Sequence, residues 1–184
     1  MMINRKYAAC GLLIIAAIAA SVLIITVNRK ADINVSEVIQ KIEDVLPPYI
    51  EGKSEMRYNT EMPMMSIDGH DYVGILEIPS KQIKLPVCSC WDEHIAKSIP
   101  CRYSGSIYSD LIIGGKNKKD NFDFLNTVDI GDTVSFVDMT GQIYNYKVNS
   151  VYHKKEFDIE GAESKLVMFT YLNDVSKYVF VTCE

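Results

Sequence analysis

Arginine, histidine and cysteine are scarce and unevenly spread along this 184-residue chain. No arginine follows Arg102, no cysteine lies between Cys101 and Cys183, and His70, His94 and His153 stand alone in sequence. Isolated histidines offer no metal-ligand spacing, and Cys88-Ser89-Cys90 lacks the second half that a zinc site needs. The pattern predicts no metal and no cofactor. Basic residues are also short in supply. Four of the 19 lysines and arginines, namely Arg5, Lys6, Arg29 and Lys30, sit in the first thirty residues, so the remainder carries 15 against 24 acidic residues, a formal charge of −9. An acidic domain is a poor partner for nucleic acid or for an anionic bilayer face. No internal repeat is visible.

Charge is missing altogether from Ala8 to Val27, a 20-residue run reading AACGLLIIAAIAASVLIITV. At ~1.5 Å per residue such a helix spans a ~30 Å hydrocarbon core. The run exceeds the ~7–15 residues of a signal-peptide apolar region, and no small-x-small cleavage site follows it. It is expected to be an uncleaved transmembrane anchor, with residues 1–7 as a cytoplasmic tail. Basic residues flank it almost evenly, so charge alone barely orients it.

Residues 28–70 read as a connector. Within it Val35, Val38, Ile39, Ile42, Val45 and Leu46 form one apolar stripe, which predicts an amphipathic helix over 35–46. Asn34 followed by Glu37 fits a capping box, and Pro47-Pro48 stops the helix. Residues 49–69 show no sustained period and read as linker. The domain is placed at 71–184, enough chain for one core.

Strands are expected at Tyr72–Ile78, stopped by Pro79, and at Gln82–Val87, half exposed with Pro86 on the polar face. Trp91 to Ile99 reads as a short helical turn, and Leu111–Ile113 as a buried strand. Thr133–Val137 and Ile143–Val151 flank Asp138-Met139-Thr140-Gly141 and predict a hairpin. Leu166–Tyr171 and Tyr178–Val181 predict a terminal strand–loop–strand unit. Many short strands and little helix predict a mainly β barrel or sandwich.

Several of these stretches, in order, carry a family pattern. Tyr72-Val73-Gly74-Ile75-Leu76-Glu77-Ile78-Pro79 with Leu85-Pro86-Val87 is the first, and Pro100-Cys101-Arg102-Tyr103-Ser104-Gly105-Ser106 the second. Leu111-Ile112-Ile113-Gly114-Gly115-Lys116-Asn117, Ile130-Gly131-Asp132 and Leu166-Val167-Met168-Phe169-Thr170-Tyr171 complete it. Over residues 72–183 the chain resembles the sortases, cysteine transpeptidases of Gram-positive surfaces. The resemblance implies a sortase-like β-barrel with short helices behind an N-terminal transmembrane helix, and a C-terminal domain outside the cell.

The resemblance also implies a catalytic histidine, cysteine and arginine. At those positions the chain has Lys116, Tyr171 and Tyr178. Sliding the alignment recovers none of the three, given the gaps noted above. Transpeptidation needs a thiolate nucleophile, a proton donor and a stabilised oxyanion. A tyrosine hydroxyl, of ordinary pKa ~10, is a far poorer acyl nucleophile near neutrality than a thiol at ~8.5. The expectation is a pseudo-sortase whose ligand cleft includes Lys116, Asn117, Thr170, Tyr171 and Tyr178. The two tyrosines either fill the old cleft or form an aromatic platform for a bound peptide. Expected partners are sorting-signal peptides, surface-protein or pilin precursors, or a catalytic sortase. The alternative is an active enzyme whose nucleophile has moved to Cys88, Cys90 or Cys101. Cys101 and Cys183 read as structural, free or paired.

Overall fold

The computed structural model describes residues 33–51, 61–159 and 164–184, and the compact unit runs from Asn34 to Glu184. The anchor expected at 8–27 lies outside the described residues, as do residues 52–60 of the linker. Among the described residues one α-helix, α1 (Val35–Glu43), precedes ten strands. These are β1 (Ile50–Glu51), β2 (Met65–Ile67), β3 (His70–Ile78), β4 (Ile83–Cys88) and β5 (Cys101–Ser104). They continue with β6 (Leu111–Gly114), β7 (Thr133–Asp138), β8 (Gln142–Lys154), β9 (Leu166–Leu172) and β10 (Lys177–Cys183).

Eight of the strands close on themselves. The ring runs β3-β4-β5-β6-β9-β10-β8-β7 and returns to β3, because β7 pairs with both β3 and β8. Closure removes the unpaired edges that an open sheet would leave. β1 adds in parallel to β8, and β2 forms a hairpin with β3 through Asp68-Gly69. The mainly β barrel read from the sequence is the observed fold.

Two local devices set the ring. Asp138 ends β7 and folds the hairpin: its Oδ1 accepts from Thr140 N (2.8 Å), Thr140 Oγ1 (2.6 Å) and Gln142 N (3.0 Å). Gly141, at φ +80°, then supplies the left-handed residue of that turn. On β3, Gly74 leaves room for the Phe136 ring, which would lie 2.3 Å from any Cβ there. The barrel interior is filled by Leu76, Phe136, Leu111, Ile113, Met168, Val179, Val181 and their neighbours.

The helix predicted over 35–46 ends at Glu43, and Val45 of its apolar stripe is exposed. Asn34 Oδ1 caps α1 by accepting from Glu37 N at 3.4 Å, and Val38 and Ile42 are buried. Lys84 of β4 pairs with Glu43 of α1 and, at 2.9 Å, with Glu77 of β3. Lys41 reaches Asp68 at 2.6 Å. The stretch read as connector therefore contributes α1, β1, β2 and the buried Met62 to the compact unit. β4 also departs from expectation. Leu85, Pro86, Val87 and Cys88 are all buried, so only its first two residues are half exposed. The alternation is real, but α1 packs against this strand and covers the face that the pattern assigns to solvent.

Candidate functional site

Side chains alternate across a strand, so β9 and β10 each present two faces. Met168 and Leu172 of β9, with Val179, Val181 and Cys183 of β10, point into the core. Val167, Phe169, Phe180 and Tyr178 lie on the other face. Register pairs Tyr171 with Tyr178 directly, and their ring centroids are 4.8 Å apart. The two positions that the resemblance singled out on these strands are therefore cross-strand neighbours on the outer face.

That face floors a cleft of about 390 Å³. Tyr171, Tyr178 and Lys116 all line it, together with Trp91, Glu93, Ala96, Tyr103, Phe157 and Phe169. Lys116 arrives from the end of β6, which runs parallel beside β9. Its backbone is fixed on two sides. Lys116 N donates to Ala96 O at 3.2 Å, and its carbonyl accepts from Phe122 N at 3.0 Å. Asn121 Nδ2 donates to the same Ala96 carbonyl at 3.0 Å, binding the loop after β6 to the turn of residues 95–97. That turn begins at Asp92, whose Oδ1 accepts from Ile95 N and His94 N. Those two N–H donors, Ile95 first, hold the Asp92 carboxyl below the usual carboxylate range.

Glycine at 114 is what allows the wall to close over the floor. A Cβ there would sit 2.3 Å from the Phe169 ring and 2.6 Å from the Trp91 ring. Trp91 packs on Phe169 (5.7 Å) and edge-on to Tyr103 (5.6 Å). Phe157, from the chain after β8, reaches Phe169 at 4.8 Å and Tyr178 at 5.3 Å. Edge-to-face pairs of this kind are worth ~0.5–1.5 kcal/mol each beyond their burial. The cleft is an aromatic trough with one cation, Lys116, and one carboxylate, Glu93, among its described lining residues.

Two residues placed in the cleft by the sequence stand elsewhere. Thr170 alternates with Tyr171 and is fully buried, and its Oγ1 has no hydrogen-bond partner among the described residues. Asn117 is exposed and does not line the cleft. Conversely, sequence reasoning missed Trp91, Glu93, Ala96, Tyr103, Gly115, Phe157 and Phe169 as lining residues. Phe169 was recoverable, since it lies two residues from Tyr171 on one strand. Phe157 left no such signal, because it comes from an irregular segment. Among the described residues no thiol lines the cleft, and no cluster of three His, Cys, Asp or Glu side chains could hold a metal ion.

No protein-family model matches the chain, and no curated protein sequence matches it. Solved structures do. Sortase A from Corynebacterium diphtheriae superposes with a TM-score of 0.57 at 16% identity, covering 62% of this chain and 60% of that one. A Clostridium perfringens sortase D5 transpeptidase gives 0.55 at 15% identity, covering 67% and 81%. Sortase C from Clostridium perfringens, solved with the C-terminal cell wall sorting motif, gives 0.53 at 18% identity, covering 62% and 69%. The chain thus spans less than two thirds of the length of that sortase A. It has a sortase-like fold.

Proposed function

We propose that this chain is a membrane-anchored, sortase-fold protein that has lost cysteine transpeptidation and uses the cleft to bind a peptide at the cell surface. The observation that carries the reading is the convergence of Lys116, Tyr171 and Tyr178 on one cleft without a thiol among its described lining residues. The positions meet, as a catalytic site would require, while the side chains cannot supply a thiolate. An aromatic trough can stack on an apolar or proline-containing backbone, and Lys116 can pair with a carboxylate of the ligand. A sorting-signal peptide, alone or within a surface-protein or pilin precursor, fits that chemistry. The sortase C structure with a sorting motif supports the ligand class by likeness of fold. The anchor at 8–27 would place the domain outside the membrane.

A second reading, a displaced nucleophile, rests on the thiols. Cys183 faces the barrel interior, where burial pushes its thiol up to about 12. Cys88 is held low by the neighbouring Cys101, yet it is buried and does not line the cleft. Mass spectrometry of the full-length chain, incubated under reducing conditions with sorting-signal peptides and an amine acceptor, separates the readings. The binding module returns intact peptide and unmodified cysteines. Cleaved peptide with an acyl adduct on any cysteine would end it.

A further inference from the structure

The aromatic wall of the cleft hangs on a loop whose two ends are cysteines. Cys88 closes β4 and Cys101 opens β5, and the two are direct partners in a short parallel pairing. Neighbouring strands lie ~4.8 Å apart, inside the Cα separation of ~4.4–6.8 Å that disulfides span. Both residues are buried, and Cys101 Sγ donates to Ile99 O at 3.7 Å. The neighbouring Cys101 lowers the Cys88 thiol, and Cys88 with burial raises that of Cys101. A third group faces them. Tyr72 pairs with Cys88 from β3, is fully buried, and its hydroxyl has no hydrogen-bond partner among the described residues. Burial first, then the neighbouring Cys88, pushes that phenol up to about 12, so it stays a neutral donor beside the sulfurs.

We propose that Cys88 and Cys101 form a reversible disulfide that clamps the loop carrying Trp91, Glu93 and Ala96. The inference stands whether or not the cleft binds peptide. The loop is already tied at its base, since Arg102 Nε donates to Ser89 O at 2.7 Å and Cys88 N donates to Pro100 O at 3.0 Å. A covalent bond there shortens the closed segment and restricts the wall above it. The oxidant is a low-molecular-weight disulfide, RSSR. The Cys88 thiolate attacks one of its sulfurs, forming a mixed disulfide and expelling RS⁻. Cys101 then attacks the Cys88 sulfur, breaking the mixed bond and expelling the second RS⁻. The protons lost by Cys88 and Cys101 go to the two expelled thiolates, so two protein thiols are oxidised and RSSR is reduced to two RSH. Cys90, exposed two residues away, is the competing thiol.

The full-length chain would be equilibrated with graded ratios of reduced and oxidised glutathione, alkylated in acid, digested with trypsin and weighed. The clamp predicts a crosslink between peptides 85–97 and 98–102, lighter by two hydrogen atoms, in the native chain and in Cys90→Ala. It predicts loss of that link in Cys88→Ala. Persistence of the link in Cys88→Ala would assign it to Cys90 and overturn the pairing, as would no link at any ratio. Trp91 is the only tryptophan, so its emission reports on the wall. The emission of native chain and Cys90→Ala should shift in step with the crosslink. A crosslink that leaves Trp91 emission unchanged would overturn the clamp.

Discussion

The inner and outer faces of β9 and β10 are built from the same two strands and differ in almost every other respect. The inner face is aliphatic and sealed: Met168, Val179, Val181 and Cys183 are each fully buried. The outer face is aromatic, and Tyr171 and Tyr178 remain half exposed in the cleft. The inner face is committed to stability, since every atom there has a packing partner that a substitution would remove. The outer face can change its chemistry without unmaking the barrel. On the proposed loss of transpeptidation, a cysteine, a histidine and an arginine would give way to Tyr171, Lys116 and Tyr178 without disturbing the inner face.

Substitutions on the two faces should separate stability from binding. Met168→Ala opens a void in the core and should cost ~2–5 kcal/mol, read as a fall in the denaturation midpoint. A loss below ~1 kcal/mol would mean that the inner face tolerates change as the outer one does. Gly74→Ala attacks the same interior by overfilling it, pressing on the Phe136 ring and the Val137 carbonyl. A cost of ~1–3 kcal/mol in urea unfolding is expected. On the outer face, Tyr178→Ala removes its edge contact with Phe157 and the pairing with Tyr171, worth ~0.5–1.5 kcal/mol per pair at most. Its thermal midpoint should move far less than that of Met168→Ala.

The smallest effect belongs to neither face. Asp132, before β7, accepts from Asp129 N at 2.9 Å and from Ser80 Oγ at 2.9 Å, with Lys81 nearby. The Asp129 N–H first, then the Ser80 hydroxyl, holds its carboxyl below the usual range. A carboxyl lowered on folding stabilises the protein above its unfolded value of ~3.9, and that contribution is lost as pH falls through the folded value. Asp132→Asn should therefore weaken the protein slightly at neutral pH, with the difference from the native chain vanishing in strong acid. A difference that grows on acidification would contradict this assignment.

The inner face was the legible one. Leu166–Tyr171 and Tyr178–Val181 read as strands from their β-branched and aromatic content, and the structure extends the first by one residue and the second by three. The hairpin at Asp138–Gly141 was legible from turn chemistry that acts within four residues. β4 misled because exposure is decided by what covers a strand, and α1 comes from 40 residues earlier in the chain. The cleft was half legible. Lys116, Tyr171 and Tyr178 could be placed by order along the chain, whereas Phe157 reaches the cleft from an irregular segment that no period marks. Thr170, expected in the cleft beside Tyr171, is buried on the opposite face, as alternation along the strand requires.

The central claim is that the outer face binds a peptide it does not cut. Its most direct measurement is calorimetric titration of a sorting-signal peptide into the full-length chain and into Tyr171→Ala and Tyr178→Ala variants. The account predicts saturable binding by the native chain, intact peptide recovered afterwards, and affinity at least ~10-fold weaker in both variants despite near-native melting, the tenfold corresponding to ~1.4 kcal/mol. Equal affinity in all three proteins would place the ligand elsewhere and contradict it.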